Sequence, residues 1–222
     1  MELTGGAGEV TCQPLPPNSD AYRAYCPYTV DPNKAGTWTA PDLARARRLV
    51  AASGTTGEPV TVYIPSYWPF GDGGARYLVS VLDGLGYRAR YGGVVDYNKL
   101  MDKGTQIQAG FAGWAADYAS PGGFFDNGLT CAAYKQKLSN GAAIGGFCDP
   151  AIDREMARAR ALQDTDPQQA SILWRKVDHD ITDAAPWVAY TNPGWYQLLS
   201  KRTGNFRFNP EYGTLLDQLW VR

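Results

Sequence analysis

Only one histidine occurs in this sequence, and neither sign of charge dominates it. That histidine, His179, lies between Asp178 and Asp180 in a helical stretch, where it reads as a surface or capping residue and not as a catalytic one. With one imidazole there is no H-E-x-x-H zinc motif, and the G-x-S-x-G and G-x-x-x-x-G-K motifs are also absent. Gly5-Gly6-Ala7-Gly8 has no lysine or helix after it and reads as a loop. Asp117 and Asp126 flank a Pro-Gly-Gly turn, but their spacing specifies no acid–base pair. The 21 basic and 22 acidic residues leave a net charge of -1, with Lys and Arg spread along the chain, so no footprint for nucleic acid is present. Apolar runs fall far short of the roughly 18 residues that suggest a membrane span. These absences argue against an enzyme, a bound metal and a cofactor.

What is present is the composition of a folded domain. Hydrophobic residues make up 44% and charged residues 19% of the 222, which suits one large domain or two small ones. The four cysteines form two local pairs, Cys12 with Cys26 and Cys131 with Cys148, and neither pair has the C-x-x-C spacing of a zinc or redox motif. Two loop-closing disulfides fit, each stabilising by roughly 3 kcal/mol through chain entropy; buried free thiols are the alternative. Disulfides imply an oxidising compartment. No basic start or apolar core follows Met1-Glu2-Leu3, so a disulfide-bearing chain without an export signal suggests a piece of a longer exported protein.

Six prolines, Pro14, Pro16, Pro17, Pro27, Pro32 and Pro41, make residues 1–41 a loop-rich lead-in. Residues 42–222 read as an α/β lobe with returning C-terminal strands. A helix is predicted over 42–53, with Leu43, Ala46, Leu49 and Val50 on its apolar face and Gly54 as its stop. The β-branched run 60–64 predicts a strand, 71–74 a flexible turn, 75–85 a helix, 87–91 a strand, 96–103 a short helix and 107–114 a third strand. This alternation argues for a largely parallel sheet. Asp149-Pro150 opens a helix to about Gln163, with Ile152, Met156 and Ala159 inward. Asp166-Pro167 opens another, with Ala170, Leu173, Trp174, Val177 and Ile181 as its buried stripe. Strands are predicted at 187–191, 195–200 and 205–208, before a short amphipathic stretch over 215–221.

With 14 Tyr, 7 Trp and 7 Phe, the chain has the aromatic surface that a ligand cleft uses, although any single ring serves a core equally well. The most informative segment is Gly113-Trp114-Ala115-Ala116-Asp117-Tyr118-Ala119-Ser120-Pro121. A strand that ends in an acidic residue places it at the carboxyl edge, where α/β sheets present ligand sites. Trp114 would be a wall of the same site. The alternative for Asp117 is to cap a helix starting near Pro121.

This segment resembles the Gly-Trp-x-x-Asp-Tyr/Asn-x-x-Pro hallmark of the family 5 extracellular solute-binding proteins, which include oligopeptide- and dipeptide-binding proteins of ABC importers. Other stretches resemble the family in the same order: Cys26-Pro27-Tyr28-Thr29, Pro41-Asp42-Leu43-Ala44-Arg45-Ala46-Arg47-Arg48-Leu49, Asp149-Pro150-Ala151-Ile152-Asp153 and Asp183-Ala184-Ala185-Pro186-Trp187-Val188. The resemblance implies a type II periplasmic-binding-protein-like fold and covers its C-terminal lobe. The first lobe and its signal or anchor would lie outside this sequence. It implies an extracytoplasmic location, periplasmic or at the cell surface, and an ABC permease as partner. It also implies a peptide ligand whose α-ammonium pairs with Asp117 while Trp114 lines the cleft, although relatives carry sugars, nickel complexes and other solutes. A solute-sensing module of a larger signalling protein is a second reading, and a hydrolase with an unrecognised site a third.

Thiol blocking and mass mapping of the oxidised protein should find Cys12 joined to Cys26 and Cys131 to Cys148. Four alkylatable thiols would end the disulfide reading.

Overall fold

The computed structural model describes residues 8–68, 71–96, 99, 107–135, 146–194, 196–209 and 213–222. The β-branched run forms strand β2 (Pro59–Pro65), which lies between two parallel neighbours, β3 (Arg88–Val95) and β4 (Ala109–Gly110). Helix α2 (Gly73–Leu85) covers one face, with Ala75 packed among Val62, Ile64 and Phe111. The helix ends at Gly86, whose φ of 109° is a left-handed conformation that costs glycine little; its N–H donates to the Leu82 and Asp83 carbonyls. The strand β2–β3 register slips between Val62 and Tyr63, leaving Gly92 as the extra residue. A Cβ at Gly92 would come within 2.3 Å of the Tyr63 ring, so glycine is required for that ring to lie across the bulge.

Several expectations change. The turn expected at 71–74 is shorter, because α2 already begins at Gly73. Helix α1 (Leu43–Ser53) forms as expected, capped by Asp42 accepting from Arg45 N–H, but none of its residues is buried; Leu43 and Leu49 stay exposed because none of the described residues covers that face. Strand β4 is two residues long instead of running to Trp114. Its pairing is partly replaced by a side chain: Gln108 Oε1 accepts from Thr61 N–H at 2.9 Å, and Gln108 Nε2 donates to Pro59 O at 2.8 Å. The helix expected over 96–103 falls for most of its length outside the described residues.

The second half packs around two helices. In α5 (Pro150–Leu162) and α6 (Pro167–Ala184), Asp149 and Asp166 accept from backbone N–H groups and proline takes the first turn. Ile152, Met156, Ala159, Ala170, Trp174, Val177 and Ile181 are buried with Phe124, Phe125, Leu129 and Leu15. Trp174 stacks on Phe125, ring centres 6.0 Å apart. Two short helices, α3 (Pro121–Phe125) and α4 (Cys131–Lys135), lead into this core, and disulfides join Cys12–Cys26 and Cys131–Cys148.

The lead-in is stitched to α6. Strand β1 (Gly8–Val10) pairs antiparallel with β5 (Thr191–Pro193). Asp178, 1% exposed, accepts from Leu15 N–H at 2.9 Å and from Gln13 Nε2 at 2.5 Å, while Gln13 Oε1 accepts from Tyr25 N–H. The tail beyond 194 carries less strand than expected: β6 (Thr203–Gly204) pairs with β9 (Trp220–Val221), and β7 (Phe208–Asn209) with β8 (Gly213–Thr214). A 3-10 turn (Leu216–Gln218) occupies the amphipathic stretch. Most of the tail's large apolar residues stay exposed, so longer strands would bury little among the described residues.

Burial pushes the Asp178 carboxyl up to about 6, against the opposing pull of the Leu15 and Gln13 hydrogen bonds. The native state therefore holds this proton more tightly than the unfolded chain does. The associated stability is fully present below about pH 4 and is lost as pH rises to about 6, some 3 kcal/mol in all. In urea unfolding, the stability of wild type minus that of Asp178→Asn should fall over that interval and be flat outside it. Asp178→Ala should cost about 2–4 kcal/mol at pH 7, because it strands two buried donors.

Candidate functional site

The site is built on the chain between β4 and α4. Past Gly110 the backbone leaves the sheet, so Asp117 sits seven positions beyond the strand and not at its last residue. Two aromatic steps fasten the intervening segment. Phe111 belongs to the sheet core, edge-on to Tyr190 at 5.8 Å and tilted against Trp68 at 5.5 Å. Trp114 packs against the helical core, tilted on Trp187 at 6.2 Å, and its Nε1–H donates to Phe124 O at 2.8 Å. Burial alone pushes the Tyr190 hydroxyl up to about 12.

The next turn closes on itself. Asp117 N–H donates to Gly123 O at 3.1 Å, and Gly123 N–H donates to Ser120 O at 2.9 Å. Ser120 caps α3, its Oγ accepting from Gly122 N–H, so Asp117 does not serve as that helix cap. The Asp117 carboxylate is exposed and is joined by Asn127, whose Nδ2 donates to Oδ2. Asp126, next to Asn127, accepts from Tyr118 Oη at 2.7 Å and from Arg160 at 2.5 Å. Burial, with this bond to Asp126, pushes the Tyr118 hydroxyl up to about 12, so it stays a donor at any ordinary pH.

Of the two site residues expected, Trp114 is half-buried and pinned, and Asp117 reaches water. The structure adds Asn127, Asp126, Tyr118 and Arg160. Nothing local in the sequence pairs residue 117 with 127 or 126 with 160. His179 lies elsewhere, stacked on Tyr25 at 3.9 Å, and burial lowers its pKa. A cavity of about 300 Å³ is lined by Asp126, Thr130, Ala132, Asp153, Met156 and Arg160. Its carboxylates are already engaged: Asp126 as above, and Asp153 by Cys131 N–H. Among the described residues no group of three or more His, Cys, Asp or Glu could hold a metal ion, and no helix is long and apolar enough to cross a membrane.

Two glycines of this loop should respond oppositely to a methyl group. A Cβ at Gly123 would lie 2.5 Å from Tyr118 O and 2.9 Å from Tyr118 N, whereas one at Gly113 meets nothing within 4 Å. Gly123→Ala should lower unfolding stability by about 1–3 kcal/mol. Gly113→Ala should stay within about 0.5 kcal/mol of wild type. Urea midpoints of the two variants check both.

No protein-family model matches this chain, and no curated protein sequence matches it. Solved structures do. The periplasmic binding protein DppA of Helicobacter pylori, associated with an ABC transporter and in complex with the peptide STSA, superposes with a TM-score of 0.73 at 22% identity, over 97% of this chain and 40% of that one. A dipeptide-binding protein of Pseudoalteromonas sp. SM9913 with bound Met-Leu gives 0.75 at 19% identity, over 99% and 41%. The murein tripeptide-binding protein MppA of Escherichia coli gives 0.72 at 17% identity, over 99% and 41%. These are proteins of the class that residues 113–121 resemble, and the chain spans about two fifths of the length of each. The chain therefore has an α/β fold that nearly all of it shares with one part of the peptide-binding proteins of ABC transporters.

Proposed function

We propose that this chain is the C-terminal ligand-binding lobe of a two-lobed extracytoplasmic solute-binding protein that delivers peptides to an ABC permease, and that it performs no catalysis. The observation that carries this reading is Asp117. Its carboxylate faces water on a turn that is hydrogen-bonded at both ends, three residues after a pinned tryptophan and beyond the carboxyl edge of a parallel sheet. A fixed carboxylate of this kind is suited to a peptide's α-ammonium, because a charge-assisted hydrogen bond strengthens when a closing lobe excludes water. The peptide complexes among the similar structures support the same ligand class.

The division into lobes is supported by what the chain leaves uncovered. Val188, Tyr196, Leu198 and Leu216 each keep three quarters or more of their surface in water, and Phe208, Trp220 and Val221 are exposed near them in sequence. A tail this apolar fits a body that packs against it. Half a cleft would also leave a ligand wet. Titration calorimetry of this chain with short peptides should therefore register little heat. Sub-micromolar binding by the chain alone would contradict the split-cleft reading.

With the first lobe restored, Asp117→Asn should keep the fold and weaken peptides with a free amino terminus by roughly 2–5 kcal/mol, the usual cost of removing one partner of a buried charge pair. Peptides with an acetylated amino terminus should bind poorly to both forms and respond much less to the substitution. A lowered melting point with unchanged peptide affinity would remove the ligand role of Asp117.

A further inference from the structure

Asp117 and Asn127 meet across the loop, and their chemistry dictates which atoms face which. A carboxylate only accepts, so the Asn127 amide turns its NH2 group to Asp117, and Nδ2 donates to Oδ2. The amide's carbonyl oxygen and Asp117 Oδ1 then have no hydrogen-bond partner among the described residues, and both side chains are exposed. Neither residue is loosely held. Asp117 N–H donates to Gly123 O. Asn127 lies between Phe125 and Leu129, both fully buried, and Leu129 N–H donates to Phe125 O at 2.9 Å. The preceding residue, Asp126, is tied to Tyr118 and Arg160. Two acceptor oxygens are thus left available on adjacent, anchored side chains that together carry one negative charge.

Resting on the reading of Asp117 as the ammonium-binding residue, we infer that Asn127 is a positioning and selectivity residue of the same site. Its N–H fixes the orientation of the carboxylate, and its carbonyl oxygen supplies a second acceptor with no partner among the described residues. A primary ammonium has three N–H donors to distribute over such acceptors; a quaternary ammonium has none. The pair therefore selects the primary ammonium by hydrogen bonding, whereas the charge of Asp117 attracts both.

The test is amide NMR of the protein with its first lobe restored, titrated with alanyl-alanine and with its N,N,N-trimethylated analogue, with affinities read from residues 117, 118 and 127. Wild type should prefer alanyl-alanine. Asn127→Leu should weaken alanyl-alanine about tenfold, as expected for a lost hydrogen bond to a charged group, and should narrow the preference. Asn127→Gln, which keeps the amide one methylene farther out, should recover part of the preference. Asn127→Ser, too short to reach, should narrow it as leucine does, and it serves in place of leucine if leucine disturbs the fold. An unchanged preference in Asn127→Leu and Asn127→Ser overturns the role of Asn127. If Asp117→Asn abolishes binding in the same series, that failure belongs to Asn127 alone. If Asp117→Asn also leaves binding unchanged, or wild type shows no shift at these residues, the ammonium site is overturned as a whole.

Discussion

A carboxylate buried inside helix α6 joins the first residues of the chain to the last third of it. Asp178 accepts the Leu15 N–H and a Gln13 amide hydrogen, and Gln13 in turn holds Tyr25 N–H and Arg23 O. Without these bonds the lead-in would carry unsatisfied donors into the core, because Gln13, Pro14 and Leu15 are all buried. Much else follows from this anchor. The lead-in presents Thr11 N–H to Tyr190 O and pairs β1 with β5, which places residues 187–193. Trp187 and Tyr190 then support Trp114 and Phe111, and those two hold the backbone that carries Asp117.

The two apolar cores meet through those two short segments. Phe111 and Tyr190 belong to the sheet core and Trp114 and Trp187 to the helical core, and Phe111 lies three residues from Trp114 as Trp187 does from Tyr190. An irregular stretch placed in this way can be as rigid as a strand, because large rings on both sides take the place of ladder hydrogen bonds. It also frees the backbone to turn at Gly123, where the chain passes too close to the Tyr118 backbone for a side chain. The exposed Asp117 carboxylate is consequently borne on a fixed frame, which is what a binding site needs if ligand contacts are not to be offset by ordering a loop.

The polar groups under the loop have separate duties. Asp126 is consumed by Tyr118 and Arg160 and ties the loop to α5. Asn127 reaches the other way, to Asp117. Adjacent residues on one turn therefore divide anchoring from presentation. The exposed faces of α1 and of the tail show a different economy: their apolar residues are patterned for burial, yet the described residues leave most of them uncovered.

Local chemistry made much of the fold legible. Asp-Pro pairs marked the starts of α5 and α6, glycine marked the ends of α1 and α2, and the 3.6-residue spacing of Ile152, Met156 and Ala159 identified a buried face. Those signals act within a few residues, so the sequence carries them openly. The cysteine pairing was legible for the same reason, each pair being 14 or 17 residues apart. Asp117 could be picked out by its motif, but its surroundings could not. The Asp178–Gln13 contact spans 165 residues, Asp126–Arg160 spans 34, and Gln108 substitutes a side chain for strand pairing. A polar side chain between helical apolar positions reads as solvent-facing until a distant backbone N–H arrives to satisfy it. Only the tertiary structure decides that arrival, because burying a charge is tolerable only where its partners are already in place.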